Sequence, residues 1–261
     1  MQKKIITLTT DFGTQDGYAG VMHGVILKTA PHATIVDLTH EIPAQNIFAA
    51  AFLVESHSKY FPKSSIHVVV VDPGVGSSRR ILLAESESQF FLAPDNGLLS
   101  FLNKRKNTRF YRASNRDYWL PELSQTFHGR DIFAPLAAFL ANDLDLKMAF
   151  EEIIESDIEI LHSGRPTIKD NRIQGKITYC DHFGNLITNI RSEDLPGDST
   201  VTIEVGNHRI AGLAKSYSEK NSGEILAIIN SFNHLEIAVN SGRADRVILN
   251  YKNEDVVVFW H

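Results

Sequence analysis

The most abrupt change of hydrophobic pattern in this chain lies at residues 68–80, VVVVDPGVGSSRR. Four consecutive valines show no polar alternation, so they predict a strand buried on both faces, as in a parallel sheet covered by helices on its two sides. The run stops at Asp72. A carboxylate at that point stands at the carboxyl end of the strand, where open α/β sheets bind ligands, and Pro73, Gly74 and Gly76 turn the backbone away from it. Arg79 follows seven residues on. Taken alone, the segment also fits a surface turn capped by an aspartate.

The same shape occurs earlier. Residues 5–10 form a short apolar run that ends in Thr10-Asp11-Phe12-Gly13. From Asp16, the residues Tyr18, Val21, Met22, Val25 and Ile26 fall at helical spacing and predict an amphipathic helix that closes before Pro31. A second strand is expected at 34–38, a second helix at 46–60 and the central strand at 66–71. The order β-α-β-α-β implies parallel pairing through crossover connections. Residues 81–84 and 89–92 read as a hairpin, Pro94-Asp95-Asn96-Gly97 as a turn leading into 98–102, and 129–142 as a helix interrupted near Pro135.

Around residues 163–166 the texture changes. Beyond it come short β-branched or alternating runs at 172–179, 185–190, 200–205, 225–229, 235–239, 246–249 and 256–259. Runs this short and frequent predict a small antiparallel β-barrel or sandwich. The expected class is therefore α/β: an N-terminal domain at 1–165 with a central, mostly parallel sheet, and a smaller antiparallel β-barrel domain at 166–261.

Composition narrows the function. The chain has 261 residues, is 43% hydrophobic and 22% charged, and carries a formal net charge of −5. That excludes disordered and fibrous classes and argues against a nucleic-acid partner, which would call for a basic face. The single Cys180 rules out an intrachain disulfide framework and a multi-cysteine zinc site, and fits a reducing cytoplasm. No signal-peptide core and no run of membrane-spanning length is present. A small-molecule partner is expected.

Asp11, Asp72 and Asp95 all follow apolar runs, and His128 precedes a helix in Thr126-Phe127-His128-Gly129-Arg130-Asp131. Strand ends of one parallel sheet share an edge, so these groups can converge. Three carboxylates and a histidine invite a metal-hydrolase reading, but no HxH, HExxH or DxD spacing supports it. His23, His32, His40, His57, His162 and His208 read as surface or packing residues. The glycines at 74 and 76 lack the lysine and spacing of a phosphate loop, no serine sits in a GxSxG elbow, and Cys180 has no paired base. In the second domain, Cys180-Asp181-His182-Phe183-Gly184-Asn185 and Asn230-Ser231-Phe232-Asn233 read equally as hairpin turns.

In order, these motifs closely resemble those of the S-adenosyl-L-methionine (SAM) hydrolases, also called SAM hydroxide adenosyltransferases, relatives of the SAM-dependent fluorinases and chlorinases. The resemblance rests on Thr10-Asp11-Phe12-Gly13 with Asp16, Asp72-Pro73-Gly74-Val75-Gly76 with Arg79, Pro94-Asp95-Asn96-Gly97, Phe127-His128-Gly129-Arg130-Asp131, Asp181-His182-Phe183-Gly184-Asn185 with Thr188-Asn189, and Asn230-Ser231, and spans about residues 5–240. It implies an α/β domain followed by a β-barrel, and a homotrimer with active sites between neighbouring subunits. It also implies that Asp72, Arg79 and His128 hold the attacking water or hydroxide, that Asp11 grips the ribose diol, and that Asp16 and Tyr18 line the substrate. From the barrel, Asp181 would face the methionine ammonium, Asn185 the adenine edge and Ser231 the methionine carboxylate, with Phe183 and Tyr217 as walls for the base. The halide-using relatives carry a neutral residue in place of Asp72 and lack the arginine matching Arg79, which places this sequence with the users of water.

The implied reaction is displacement at ribose C5′ by water, expelling methionine as a neutral thioether. A neutral leaving group needs no general acid, and no metal or redox cofactor is called for. The site must supply an aligned, poorly solvated oxygen nucleophile and an acceptor for its proton. Asp72 can orient the water and take the proton, His128 can share that task, and Arg79 fixes the carboxylate's geometry. The substrate is a cation, which suits Asp11, Asp16, Asp72 and Asp181. Two other readings remain at this stage: a non-catalytic adenosine or SAM sensor, and a metal-dependent phosphoesterase.

Overall fold

The computed structural model describes residues 4–161, 165–197 and 200–260. These fall into two compact units divided after Leu161. Part of the expected change of texture, at residues 162–164, lies outside the described residues.

The first unit is built on a seven-stranded sheet of β1 (Ile5–Thr10), β2 (Thr34–Thr39), β3 (Ile66–Val70), β4 (Ile81–Ser86), β5 (Gln89–Pro94), β6 (Arg109–Ala113) and β7 (Phe150–Ile153), in the order β2-β1-β3-β5-β4-β6-β7. The pairs β2–β1, β1–β3 and β3–β5 are parallel, and β4, β6 and β7 add on antiparallel. The valine run becomes the buried middle strand, with Val68 and Val69 fully inaccessible. Val68 and Val70 pack with Met22 and Ile26 of α1 (Tyr18–Thr29) and with Leu136 and Ala137 of α3 (Ala134–Ala141). Val69 faces the opposite side, as the two-residue period requires. Helix α2 (Ile47–Ser58) lies against β1 and β3, and Asn46 Oδ1 caps its first turn by accepting from Ala49 N–H at 3.0 Å. Each fully buried valine contributes about 1.5–3 kcal/mol relative to exposure, which is why so short a strand can anchor the sheet.

One polar residue interrupts that strand. His67 is 2% exposed, stacks on Phe91 of β5 with ring centroids 4.9 Å apart, and places Nδ1 2.8 Å from Thr7 Oγ1 on β1. Burial pushes its pKa down to about 4, so it is held as a neutral ring.

Helical structure begins directly after His128, as expected, but the irregularity has a different form. Residues Gly129–Phe133 make a π turn, and α3 then begins with Pro135 in its first turn, where the missing N–H is tolerated. Strands β6 and β7 were not anticipated: RFYRA and FEEI are short and heavily charged, as befits the outer end of a sheet.

The second unit is an antiparallel sheet of β8 (Thr167–Lys169), β9 (Arg172–Cys180), β10 (Leu186–Arg191), β11 (Val201–Val205), β12 (His208–Ala211), β13 (Ile225–Ile229), β14 (His234–Val239) and β15 (Asp255–Trp260). The main path runs β12-β11-β15-β9-β10-β14-β13, with β8 paired to β9. Its ends approach closure, because Ala214, just past β12, bridges Ile228 of β13. Alternation is clean on β11, whose Val201, Ile203 and Val205 join Ile173, Leu186, Leu235, Ile237, Val256 and Val258 in the core. The strand expected at 246–249 is not formed. Ala244–Val247 is a helical turn, and only Ile248 of the following pair enters the core while Leu249 stays 73% exposed.

Candidate active site

In the first unit, three of the singled-out side chains touch. Arg79 Nε donates to both oxygens of Asp72 at 2.7 Å, and its Nη2 closes a salt bridge to Asp72 Oδ2. The same Nη2 lies 3.0 Å from His128 Nδ1. The carboxylate and guanidinium are almost dry, at 4% and 8% side-chain exposure. A guanidinium can only donate, so His128 Nδ1 accepts and the neutral ring keeps its hydrogen on Nε2. Burial, and then the charge of Arg79, push the His128 pKa below its ordinary value, while Asp72, Asp131 and the Ser124 backbone oppose them.

The local sequence explains how residues 49 positions apart meet. Gly76 adopts φ +80°, a conformation open to glycine, and approaches the Gln125 carbonyl so closely that a Cβ would lie 2.5 Å from it. The turn after β3 therefore lies directly against the loop before His128. That loop is held in turn by Asp131, which is fully buried. Its Oδ2 accepts from Ser124 N–H at 2.7 Å and its Oδ1 from Arg130 Nε at 2.6 Å. Asp131 closes the Phe127-His128-Gly129-Arg130-Asp131 motif without an expected role of its own; its place at the first turn of a helix, after a polar loop, was the available signal.

Asp11 stands at the end of β1, whose Thr10 is in register with Val70 of β3, so Asp11 and Asp72 leave the sheet at the same edge. Asp11 Oδ2 accepts from Gln45 N–H at 2.8 Å. Tyr18 packs edge-on to Phe127 at 5.0 Å, and Phe12 meets both rings at 5.9 and 5.7 Å. Gly129 sits under this cluster, where a Cβ would come 3.1 Å from Phe127 and 3.3 Å from Phe12. Asp16 is exposed on the connection before α1. Asp95 is not part of the group: its carboxylate is tied to Arg80 Nε at 2.7 Å and to Glu159 N–H at 2.9 Å, an internal brace.

The second unit carries its own polar cluster. Asp181 accepts from the Asn185 backbone N–H at 2.8 Å and from Asn185 Nδ2 at 3.0 Å, bridging the turn between β9 and β10. Phe183, at the tip of that turn, is 71% exposed, and Ser231 is exposed in the turn between β13 and β14. Tyr217 donates its hydroxyl to Glu236 Oε1 at 2.7 Å. Glu236 is only 4% exposed and sits in the apolar run Leu235-Glu236-Ile237-Ala238-Val239. Burial pushes its pKa up, Tyr217 and Asn230 pull it down through hydrogen bonds, and the charge of Asp181 adds to the rise. Asp181, Tyr217 and Glu236 are thus electrostatic neighbours. Glu236 was missed, although a lone acid inside an apolar strand is itself a signal, since glutamate is seldom buried without a partner.

A mixed α/β sheet with a buried acid–guanidinium pair touching an imidazole near its strand ends, followed by a nearly closed barrel, defines an architecture of the α/β class with an added antiparallel barrel. The SAM hydroxide adenosyltransferase N-terminal domain matches residues 6–149 and the corresponding C-terminal domain matches 175–258. The chain belongs to the SAM hydroxide adenosyltransferase family. It is 32% identical over 271 residues to the (R)-S-adenosyl-L-methionine hydrolase of Methanocaldococcus jannaschii, covering 98% of this chain and 96% of that one. A fluorinase from an Actinoplanes species is 27% identical over 73% of both chains. The crystal structure of an uncharacterized conserved protein from Thermotoga maritima superposes with a TM-score of 0.88 at 33% identity, covering 97% of this chain and 99% of that one.

Proposed function

We propose that this chain is a hydrolase that converts S-adenosyl-L-methionine and water to adenosine and L-methionine, acting on the (R) form named for its relatives. The observation that carries this reading is the contact of Asp72, Arg79 and His128, with the carboxylate and the guanidinium almost shut off from solvent.

A water molecule lodged against Asp72 attacks ribose C5′; the new O–C bond forms as the C5′–S bond breaks. The sulfonium sulfur takes the bonding electron pair and leaves as the neutral thioether of methionine, while the water proton passes to a base. Arg79 donates to His128 Nδ1 and so takes up the lone pair the neutral ring would need to act as the water's base. Asp72 is then the proton acceptor, and Arg79 orients it through two hydrogen-bonding directions. Asp11 holds the ribose diol, and Asp16 and Tyr18 line that side. On the barrel side, Asp181 faces the methionine ammonium, Asn185 reads the adenine edge, Ser231 meets the methionine carboxylate, and Phe183 and Tyr217 flank the base. Glu236, buried beside Tyr217 and near Asp181, adds a second acid for the cationic substrate.

The same reading makes the protein a cytoplasmic homotrimer with active sites between neighbouring subunits, without nucleic-acid or membrane partners. No helix among the described residues is long and apolar enough to cross a membrane. Incubation with SAM followed by chromatography is expected to yield adenosine and methionine in equal amounts, undiminished by EDTA. Tight SAM binding without product would refute hydrolysis in favour of a sensor. Sedimentation equilibrium is expected to give three chains per particle, and a monomer would refute the assembly.

A further inference from the structure

A second set of chemically capable side chains lies at the edge of the first sheet. His23 Nε2 on α1 is 2.7 Å from Asp37 Oδ1 on β2, and His40 Nε2, just past β2, is 3.0 Å from the same oxygen. One ligand atom from each of the three falls within 4.8 Å of the others.

Positions 37 and 40 are three apart, and an unbroken strand would put them on opposite faces. The β1–β2 register slips here, with Leu8 opposite Asp37 but Thr9 opposite Thr39, so one residue is bulged out and the parity reverses. A bulge of this kind re-aims a side chain. His40 is 6% exposed, and its buried Nε2 has Asp37 Oδ1 at 3.0 Å but outside the alignment of a good hydrogen bond. A buried ring nitrogen poorly aligned with the carboxylate beside it, which a second imidazole also faces, is the arrangement expected of ligands around a cation.

We propose that His23, Asp37 and His40 bind a divalent transition-metal ion of the Zn2+ class, tying α1 to the end of β2. Two imidazoles and one carboxylate match the ligand preferences of zinc, with solvent as the fourth ligand. At ordinary metal–ligand lengths of about 2.0–2.1 Å, tetrahedral ligand atoms stand about 3.3 Å apart. The gaps of 2.7 and 3.0 Å must widen by a few tenths of an ångström, and the side chains of His23 and Asp37, 31% and 42% exposed, have room to do so. The supporting shell is present. His40 Nδ1 is 2.9 Å from Thr10 Oγ1, so with Nδ1–H donating there, Nε2 presents its lone pair. The His40 carbonyl also accepts from Gly13 N–H at 2.8 Å, which links the ion to the turn that carries Asp11. This assignment stands apart from the hydrolase reading.

Titration of the metal-stripped chain with Co2+ is expected to show one ion per chain, with a visible absorption band that Zn2+ abolishes. His23→Ala changes a partly exposed helical position to a strong helix former. It should weaken Co2+ binding by at least about tenfold, the lower bound set by losses of supporting groups alone. Asp37→Ala should do the same, with both folds checked by circular dichroism. Zn2+ should raise the melting temperature of the parent chain and leave both variants unmoved. Absence of saturable Co2+ binding, or unchanged affinity in either folded variant, would overturn the site; bound metal with no thermal shift would overturn the tie.

Discussion

Truncating Asp72 to alanine removes one partner of an ion pair whose side chains are 4% and 8% exposed. Arg79 is then left charged, with His128 Nδ1 at 3.0 Å and the ring of Phe133 at 5.9 Å as its remaining neighbours. Breaking a buried pair in this way costs about 3–5 kcal/mol, a large fraction of the about 5–15 kcal/mol that holds a typical domain folded. Arg79→Ala strands the carboxylate at similar cost and also frees the His128 ring. The double variant buries no unmatched charge. Its loss of stability should therefore fall short of the sum of the two single losses by about 3 kcal/mol. Urea unfolding followed by circular dichroism gives the three stabilities. The chromatographic assay gives turnover, expected to fall at least about 100-fold in all three because the general base or its orienting partner is gone. Calorimetric titration with adenosine should show affinity little changed. Additive stabilities would refute the buried-pair energetics, and loss of adenosine binding in both single variants would refute the assignment of these residues to the water.

Three further outcomes follow from the same structure. Because His128 is pushed below its ordinary value, kcat/KM should stay level from pH 9 down to about 6.5 and fall only below that as the ring gains a proton; a midpoint above pH 7 would contradict its neutral state. His67 is held at about 4 against about 6.5 in the unfolded chain, so its contribution is complete above pH 6.5 and drains away as the pH falls from 6.5 towards 4. The loss is about 2 kcal/mol at pH 5 relative to pH 8, and His67→Gln should flatten that part of the stability curve. Glu236→Gln should raise KM for SAM about tenfold or more with kcat within about threefold, since on the proposed reading it removes a negative charge that favours the cationic substrate in ground and transition state alike; a fall in kcat alone would place Glu236 in the chemistry instead.

What could be read in the sequence, and what could not, divides along a physical line. Strands β1, β3 and β13 and helices α1 and α2 were legible because hydrophobic period and end signals are local: Asn46 caps where it should, and the valine run stops at Asp72. The acid, arginine and histidine of the first unit were legible through six ordered motifs, while their contact rests on Gly76 meeting Gln125, which no local pattern encodes. Asp95 shows the converse, a strand-end carboxylate that looked chemical and serves as a brace because Arg80 and the Glu159 amide reach it. His23, Asp37 and His40 are the sharpest case. Periodicity sends positions 37 and 40 to opposite faces, and a search for ligand spacing passes over them for that reason. One bulged residue in β2 reverses the parity and, with α1 folded alongside, brings three ligand atoms together. A reading based on fixed spacing therefore fails at register shifts, which is also where sheets re-aim side chains for use.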